Sequence, residues 1–242
     1  MVMDIKRHNL HIHSTMTDGS LEPEDIVMIA DENNMDIIGI CDHAFSKKLS
    51  QERQVSYRLE YYINNLDRIN SYSKKVKLIK GIEIDVSRDY GTDPARLPYN
   101  KLNDLDYILF EYVNSGMEWW GHVDGRDIYE IIKIRDKIKV PLGLAHNDIQ
   151  KNFDGREEEI ARLLGENDIF LELNQSEGKR NLRDGKNYFE HFSYKLIENL
   201  AEYSVKVVVG TDMHEYKKSI YSIDAALDFI KSNDLSVHDL VK

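Results

Sequence analysis

The chain contains one cysteine, Cys41, so no intrachain disulfide can form. No apolar run approaches the ~20 residues that a membrane span requires. The start, from Met1 to His8, lacks the apolar stretch of a signal peptide. Together these absences lead us to expect a cytoplasmic protein with no membrane partner. Positive charge is also in deficit: 32 Lys and Arg stand against 43 Asp and Glu, a net charge of −11. An extended nucleic-acid-binding surface is therefore not expected. Internal repeats, low-complexity tracts and linkers are missing too. With 242 residues, 1–242 reads as a single domain.

What is present is a series of seven short apolar runs. They cover residues up to His13, then 36–43, 77–83, 106–113, 140–146, 168–174 and 206–212. All are rich in Ile, Val and Leu, as buried parallel strands are. Helical patterns separate most of them: one starting at Ser20, a cap by residue type, then 51–73, 124–138, 156–166, 187–203 and 222–232. Residues 86–104 and 175–186 read as loops. Alternating strands and helices predict an α/β fold with a parallel sheet. Polar residues recur at the C-terminal end of every run. That favours a TIM-like barrel with one functional mouth over an open sheet with a single switch point.

These polar residues carry metal chemistry. His11 and His13 lie at i and i+2, hence on one side of a strand. Asp18 and Gly19 follow in a loop short enough to fold back over the same mouth. Asp42-His43 closes the second run. Glu83 ends the third, where an unpaired buried carboxylate would be costly, with Asp85 on the same side. His146 ends the fifth run, and Asp212-Met213-His214 the seventh. Mixed imidazole and carboxylate ligands without thiolate suit Zn, Mn or Fe. The set exceeds the needs of one ion, so two or three divalent ions are expected. Paired ions acidify water and hold phosphoryl oxygens, which suits hydrolysis of a phosphate ester.

His11-x-His13, Asp18-Gly19, Asp42-His43, Gly81-x-Glu83, Ala145-His146 and Thr211-Asp212-Met213-His214 resemble the PHP (polymerase and histidinol phosphatase) family, in the family's motif order. The resemblance implies a distorted (β/α)7 barrel with a trinuclear site that hydrolyses phosphate esters. It implies that His11, His13, Glu83 and Asp212 hold one ion. Glu83 would bridge to a second, also bound by His146. Asp18, His43 and His214 would hold the third. The family's fourth-strand histidine is missing; this chain reads Phe110-Glu111-Tyr112-Val113-Asn114 there. Glu111 is the best substitute, since carboxylate can replace imidazole on Zn or Mn. Asn114 and His122 are weaker candidates.

The expected substrate is a small phosphate monoester, histidinol-phosphate-like or nucleotide-derived. Asn174, Arg180 and Arg183 are expected to contact it, with Arg88 and Arg96 as lesser candidates. Asp212 and His214 are expected to serve catalysis as well as metal binding. Trp119, Trp120 and Tyr112 read as residues that stack on a base or cover the mouth, or else as core or a dimer contact. The alternative is a metal-binding accessory or regulatory module with little turnover. A metal-dependent C–N hydrolase on a similar barrel fits the Asp-Met-His ending less well.

Overall fold

Each of the seven apolar runs becomes a strand in a computed structural model that describes residues 5–72, 75–114, 117–118, 121–176 and 182–241. The strands are β1 His8–Ile12, β2 Ile37–Ala44, β3 Lys77–Asp85, β4 Tyr107–Glu111, β5 Leu142–Leu144, β6 Ile169–Asn174 and β7 Val207–Gly210. All are parallel and pair in chain order. The first and last strands then meet. Ile12 and Met213 form a parallel bridge; His13 N donates to Met213 O at 2.9 Å, and Met213 N to His11 O at 3.3 Å. The sheet is thus a nearly closed seven-stranded barrel. Its strands are buried on both faces, which explains their continuous apolar runs.

The principal outer helices are α1 Pro23–Glu32, α2 Leu59–Asn70, α3 Glu157–Glu166, α4 Tyr194–Glu202 and α5 Asp224–Ser232. Each buries one stripe. On α3 it is Ile160, Ala161, Leu163 and Leu164. Several sequence expectations need correction. Ser20 does not cap α1: the cap position is Glu22, with Pro23 opening the helix. Ser20 instead donates its N–H to His214 O at 2.7 Å. Of the segment expected at 51–73, residues 51–70 are two 3₁₀ turns followed by α2. Within 124–138 only Ile128–Ile132 is α-helical, followed by a 3₁₀ turn. β-Branched isoleucines weaken that stretch as a helix. Likewise, 187–203 starts with a 3₁₀ turn before α4.

Strand register places the polar ends. His43 pairs with Glu83, and Asp85 with Glu111. Beyond the strands the backbone turns sharply: Tyr112, His146 and Asp212 have φ of 62°, 31° and 51°. Non-glycine residues there cost roughly 1–3 kcal/mol each, a strain that concentrates at functional sites.

Candidate metal centre

At the C-terminal mouth, three overlapping groups of ligand atoms converge, each with its atoms within 4.8 Å of one another. His11, His13, Glu83 and Asp212 form the first. His13, Asp18, His43 and His214 form the second. His43, Glu83 and Glu111 form the third. Every sequence-predicted ligand except His146 belongs to one of them. His146 joins through Glu83, its Nε2 lying 3.0 Å from Glu83 Oε1.

The first group is aimed from behind. His11 Nδ1 faces Glu172 Oε1 at 3.0 Å, so it is the protonated nitrogen. Its Nε2 then faces Glu83 Oε2 at 3.4 Å and Asp212 Oδ1 at 3.6 Å, the side on which an ion would be held. A carboxylate behind a ligating imidazole fixes tautomer and orientation. His13 Nε2 lies 3.1 Å from Asp212 Oδ1.

Asp18 is delivered by a folded loop. Asp42 is fully buried and accepts from Ser14 N at 2.8 Å, from Ser14 Oγ at 2.7 Å and from Thr17 Oγ1. Asp42 therefore shapes the turn rather than joining a ligand group. Gly19 is required there, since a Cβ would stand 2.3 Å from His13 O. Asp18 ends 3.4 Å from His214 Nε2 and 3.6 Å from His43 Nε2. His214 Nδ1 donates to Asp212 O at 3.0 Å, leaving Nε2 for the site.

Glu83 is divided between two sides. Oε1 meets His146, while Oε2 lies 3.0 Å from His43 Nδ1 and 3.5 Å from His13 Nε2. Burial alone would raise its pKa, yet His11 and His43 hold it well below the carboxylate range. Burial likewise opposes protonation of His43 and His146, but Glu83 raises both to about 10. His13 is lowered to about 3 by burial and by His214 and His43, which keeps it neutral as a ligand must be. Glu111 is raised to about 8 by burial and by the charges of Glu83 and Asp85.

These donors fit divalent ions. Among the described residues five buried side-chain N or O atoms have no hydrogen-bond partner, and four belong to this mouth: His13 Nδ1, Asp18 Oδ1, Glu83 Oε2 and Glu111 Oε1. Orphaned buried polar atoms are costly, and their concentration at one point marks a place for a cation. Ions held there would satisfy atoms from β3, β4 and the segment that follows β1.

Sequence reasoning missed several supporting residues. Glu172 is fully buried on β6, and besides His11 it accepts His146 N at 2.6 Å. Gly210 leaves room for it, a Cβ at that position falling 1.8 Å from Glu172 Oε1. The available signal was a carboxylate within the apolar run Ile169–Asn174. That His13 belongs to two of the groups was also missed. Asp85 does not join the ligand groups. Ser46 Oγ, Ser87 N and Lys48 hold it instead.

The expected substrate contacts fare unevenly. Asn174 is fully buried, and its amide donates to Glu172 Oε1 at 2.7 Å. Arg180 lies outside the described residues, as do Trp119 and Trp120. Arg183 falls on a two-residue strand, and only its backbone position is described. Arg88 pairs with Glu130 and Asp124, and Arg96 is surface-exposed. Asn114 donates no ligand atom inward; its Oδ1 accepts Ile128 N at 2.8 Å. His122 is exposed on a short hairpin. His8 is structural, its Nε2 accepting Val209 N at 3.0 Å.

The family model described as "PHP domain" matches residues 9–176. The DNA polymerase/3'-5' exonuclease PolX of Bacillus subtilis (strain 168) is 23% identical over 219 residues, or 85% of this chain. That match spans only 34% of PolX itself, so this chain covers about a third of that relative. A histidinol phosphate phosphatase from Lactococcus lactis subsp. lactis Il1403, solved with zinc, L-histidinol and phosphate, superposes with a TM-score of 0.65. It is 15% identical and covers 96% of this chain and 95% of its own. A putative histidinol phosphatase from Listeria monocytogenes gives 0.58 at 17% identity, covering 86% and 95%. At these identities the two structures establish a shared fold.

Proposed function

The chain belongs to the PHP domain family, and from that premise we propose that it is a metal-dependent phosphatase acting on small phosphate monoesters. One observation carries the reading: three ligand groups and four orphaned buried atoms meet at one barrel mouth. Two or three divalent ions, Zn, Mn or Fe, would be held there. His11, His13, Glu83 and Asp212 would hold the first. Glu83 and His146, with Glu111 replacing the family's histidine, would hold the second. Asp18, His43 and His214 would hold the third. Such ions supply Lewis acidity and lower the pKa of water.

The chain's own residues divide the remaining work. Glu172 orients His11, and Asp42 orients the loop bearing Asp18. Asp212 would be a poor proton donor: burial opposes its ionisation, but His214 and His13 hold its carboxyl well below the usual range. His214 is the better acid for the leaving alcohol. Burial disfavours its proton, yet Asp212 and Asp18 raise its pKa. One Nε2 cannot carry a proton and an ion together, so His214 plays this role only when the third ion is absent. The net charge of −11 favours a small ester over a polynucleotide. Histidinol phosphate and nucleotide-derived phosphates are the natural first substrates to try, with Arg180 and Arg183 as candidate phosphate contacts.

The second reading is a metal-binding PHP module with little turnover, favoured by Glu111 standing in the family's histidine position. One experiment separates them. Protein purified without chelator is reloaded with Mn, Zn or Fe, then assayed for bound ions and for phosphate release from a monoester panel. We expect two or three ions per chain and release that is lost in Asp212→Asn. Ions without release would favour the module, and absence of ions under every condition would overturn both readings.

A further inference from the structure

We propose that Lys48 is a phosphate-contacting residue of this same mouth, an inference that rests on the phosphatase reading and extends it. Sequence reasoning looked for the phosphate cation after β6. The structure places a different one between the ends of β2, β3 and β4.

The Lys48 ammonium lies 3.4 Å from Asp85 Oδ2 and hydrogen-bonds the Tyr112 hydroxyl. It also stands 3.7 Å from the centre of the Tyr112 ring, a cation–π distance. Glu111 Oε1, which belongs to a buried carboxylate of the third ligand group, is 3.8 Å away. That is beyond a hydrogen bond, so the ammonium borders the ion-binding region without being consumed by it. The side chain keeps 25% of its surface exposed, against 0% for Asp85. The cation is therefore partly open to solvent beside Glu111, while its counter-charge Asp85 is buried.

The loop that carries Lys48 is built. Gln54, 5% exposed, accepts Ser46 N at 3.0 Å and donates to Ser46 O at 2.8 Å and Leu49 O at 3.0 Å. Lys47 N donates to Tyr90 O at 2.6 Å, and Lys48 N to Ser46 Oγ at 3.3 Å. Ordering a lysine tail costs rotamer entropy, which its contacts with Asp85 and Tyr112 offset. Asp85 also accepts hydrogen bonds from Ser46 Oγ and Ser87 N, so Lys48 is not its sole partner. A cation beside the ligand groups at an open mouth matches a nonbridging oxygen of a phosphomonoester dianion.

The test uses Mn-loaded full-length protein and inorganic phosphate as the probe. Phosphate affinity by calorimetry should fall about tenfold or more in Lys48→Met, the scale of one charged hydrogen bond. Lys48→Arg should recover part of it, bound Mn per chain should not change, and KM for a monoester should rise more than kcat falls. In the wild type, phosphate should slow reductive methylation of Lys48, read by peptide mass; this arm stands even if the variants fold poorly. Unchanged phosphate affinity in Lys48→Met, or no protection of Lys48, overturns the inference. The two readings fail separately. Phosphate binding through Lys48 without ester turnover would sink only the phosphatase reading, and turnover with phosphate binding indifferent to Lys48 only this one.

Discussion

His11 and Glu172 meet at 3.0 Å with both side chains fully buried, although 161 residues separate them in the chain. The contact sets which nitrogen of His11 faces the ligand groups. It also explains why β6, which contributes no ligand, carries a buried carboxylate at all.

Glu172→Gln keeps the shape but exchanges an acceptor for a donor, so His11 loses its fixed tautomer. Affinity for the tightest ion should fall about 10–100-fold, the usual scale for such outer partners. Competition with a metal-binding dye would measure it. An unchanged affinity would mean that His11 is not a ligand.

Gly210→Ala should act through the same carboxylate. Its Cβ would fall 1.8 Å from Glu172 Oε1, inside any allowed contact. Overpacking of this kind costs about 1–3 kcal/mol, to be read from urea unfolding of metal-free protein. A neutral result would show that Glu172 has another place to go.

Asp42→Asn tests the loop rather than the ions. Asp42 accepts three hydrogen bonds from Ser14 and Thr17, spread over both carboxylate oxygens, and an amide keeps only one oxygen to accept them. Burial raises the carboxyl to about 6, against hydrogen bonds that lower it. Asp18 should lose its place, so bound metal should drop by one ion per chain while circular dichroism stays native. Full ion content would detach Asp42 from the third site.

Metal-free protein should lose stability as pH rises. Burial lowers the affinity of His43 and His146 for protons, but Glu83 raises both pKa values to about 10 from 6.5. Folded protein therefore binds more protons than unfolded protein across that interval. The stabilisation is complete below pH 6.5 and disappears as pH climbs through 10. At the acid end Glu83, Asp18 and Asp212 have lowered values, and their contribution is lost as pH falls below the ordinary carboxylate range. Thermal melts from pH 5 to 10 in chelator would show the alkaline decline. Excess Mn should reverse it, because ion binding displaces those protons. A flat or rising profile in chelator would contradict the charge state drawn for the cluster.

Much of this was legible in the sequence because it obeys short-range rules. The period of two that pairs His11 with His13 also aligns Glu83 with Asp85. Apolar runs ending in polar residues marked all seven strands. What stayed hidden depends on contacts between distant segments. Nothing local shows that Glu172 will meet His11, or that Asp42 will hold a turn while its neighbour His43 faces the ligands. Asp85 has the right parity for a ligand, yet Ser46, Ser87 and Lys48 claim it. Helix boundaries misled where caps were judged by residue type alone: Ser20 has the chemistry of a cap, but its backbone is bonded to the turn after β7.

The barrel seam has one more consequence, which concerns folding. Its closing bonds are made by the backbones of His11, His13 and Met213, next to the side chains of the first ligand group. His13 and Asp212 are 199 residues apart, so this corner is assembled from the two ends of the fold. Contacts of such separation carry a large loop-closure entropy and slow folding. An ion gripped by His11, His13 and Asp212 would fasten the first strand to the last, as a clasp closes a bracelet. The reagent for the chemistry would also be the cross-link that keeps the circle shut.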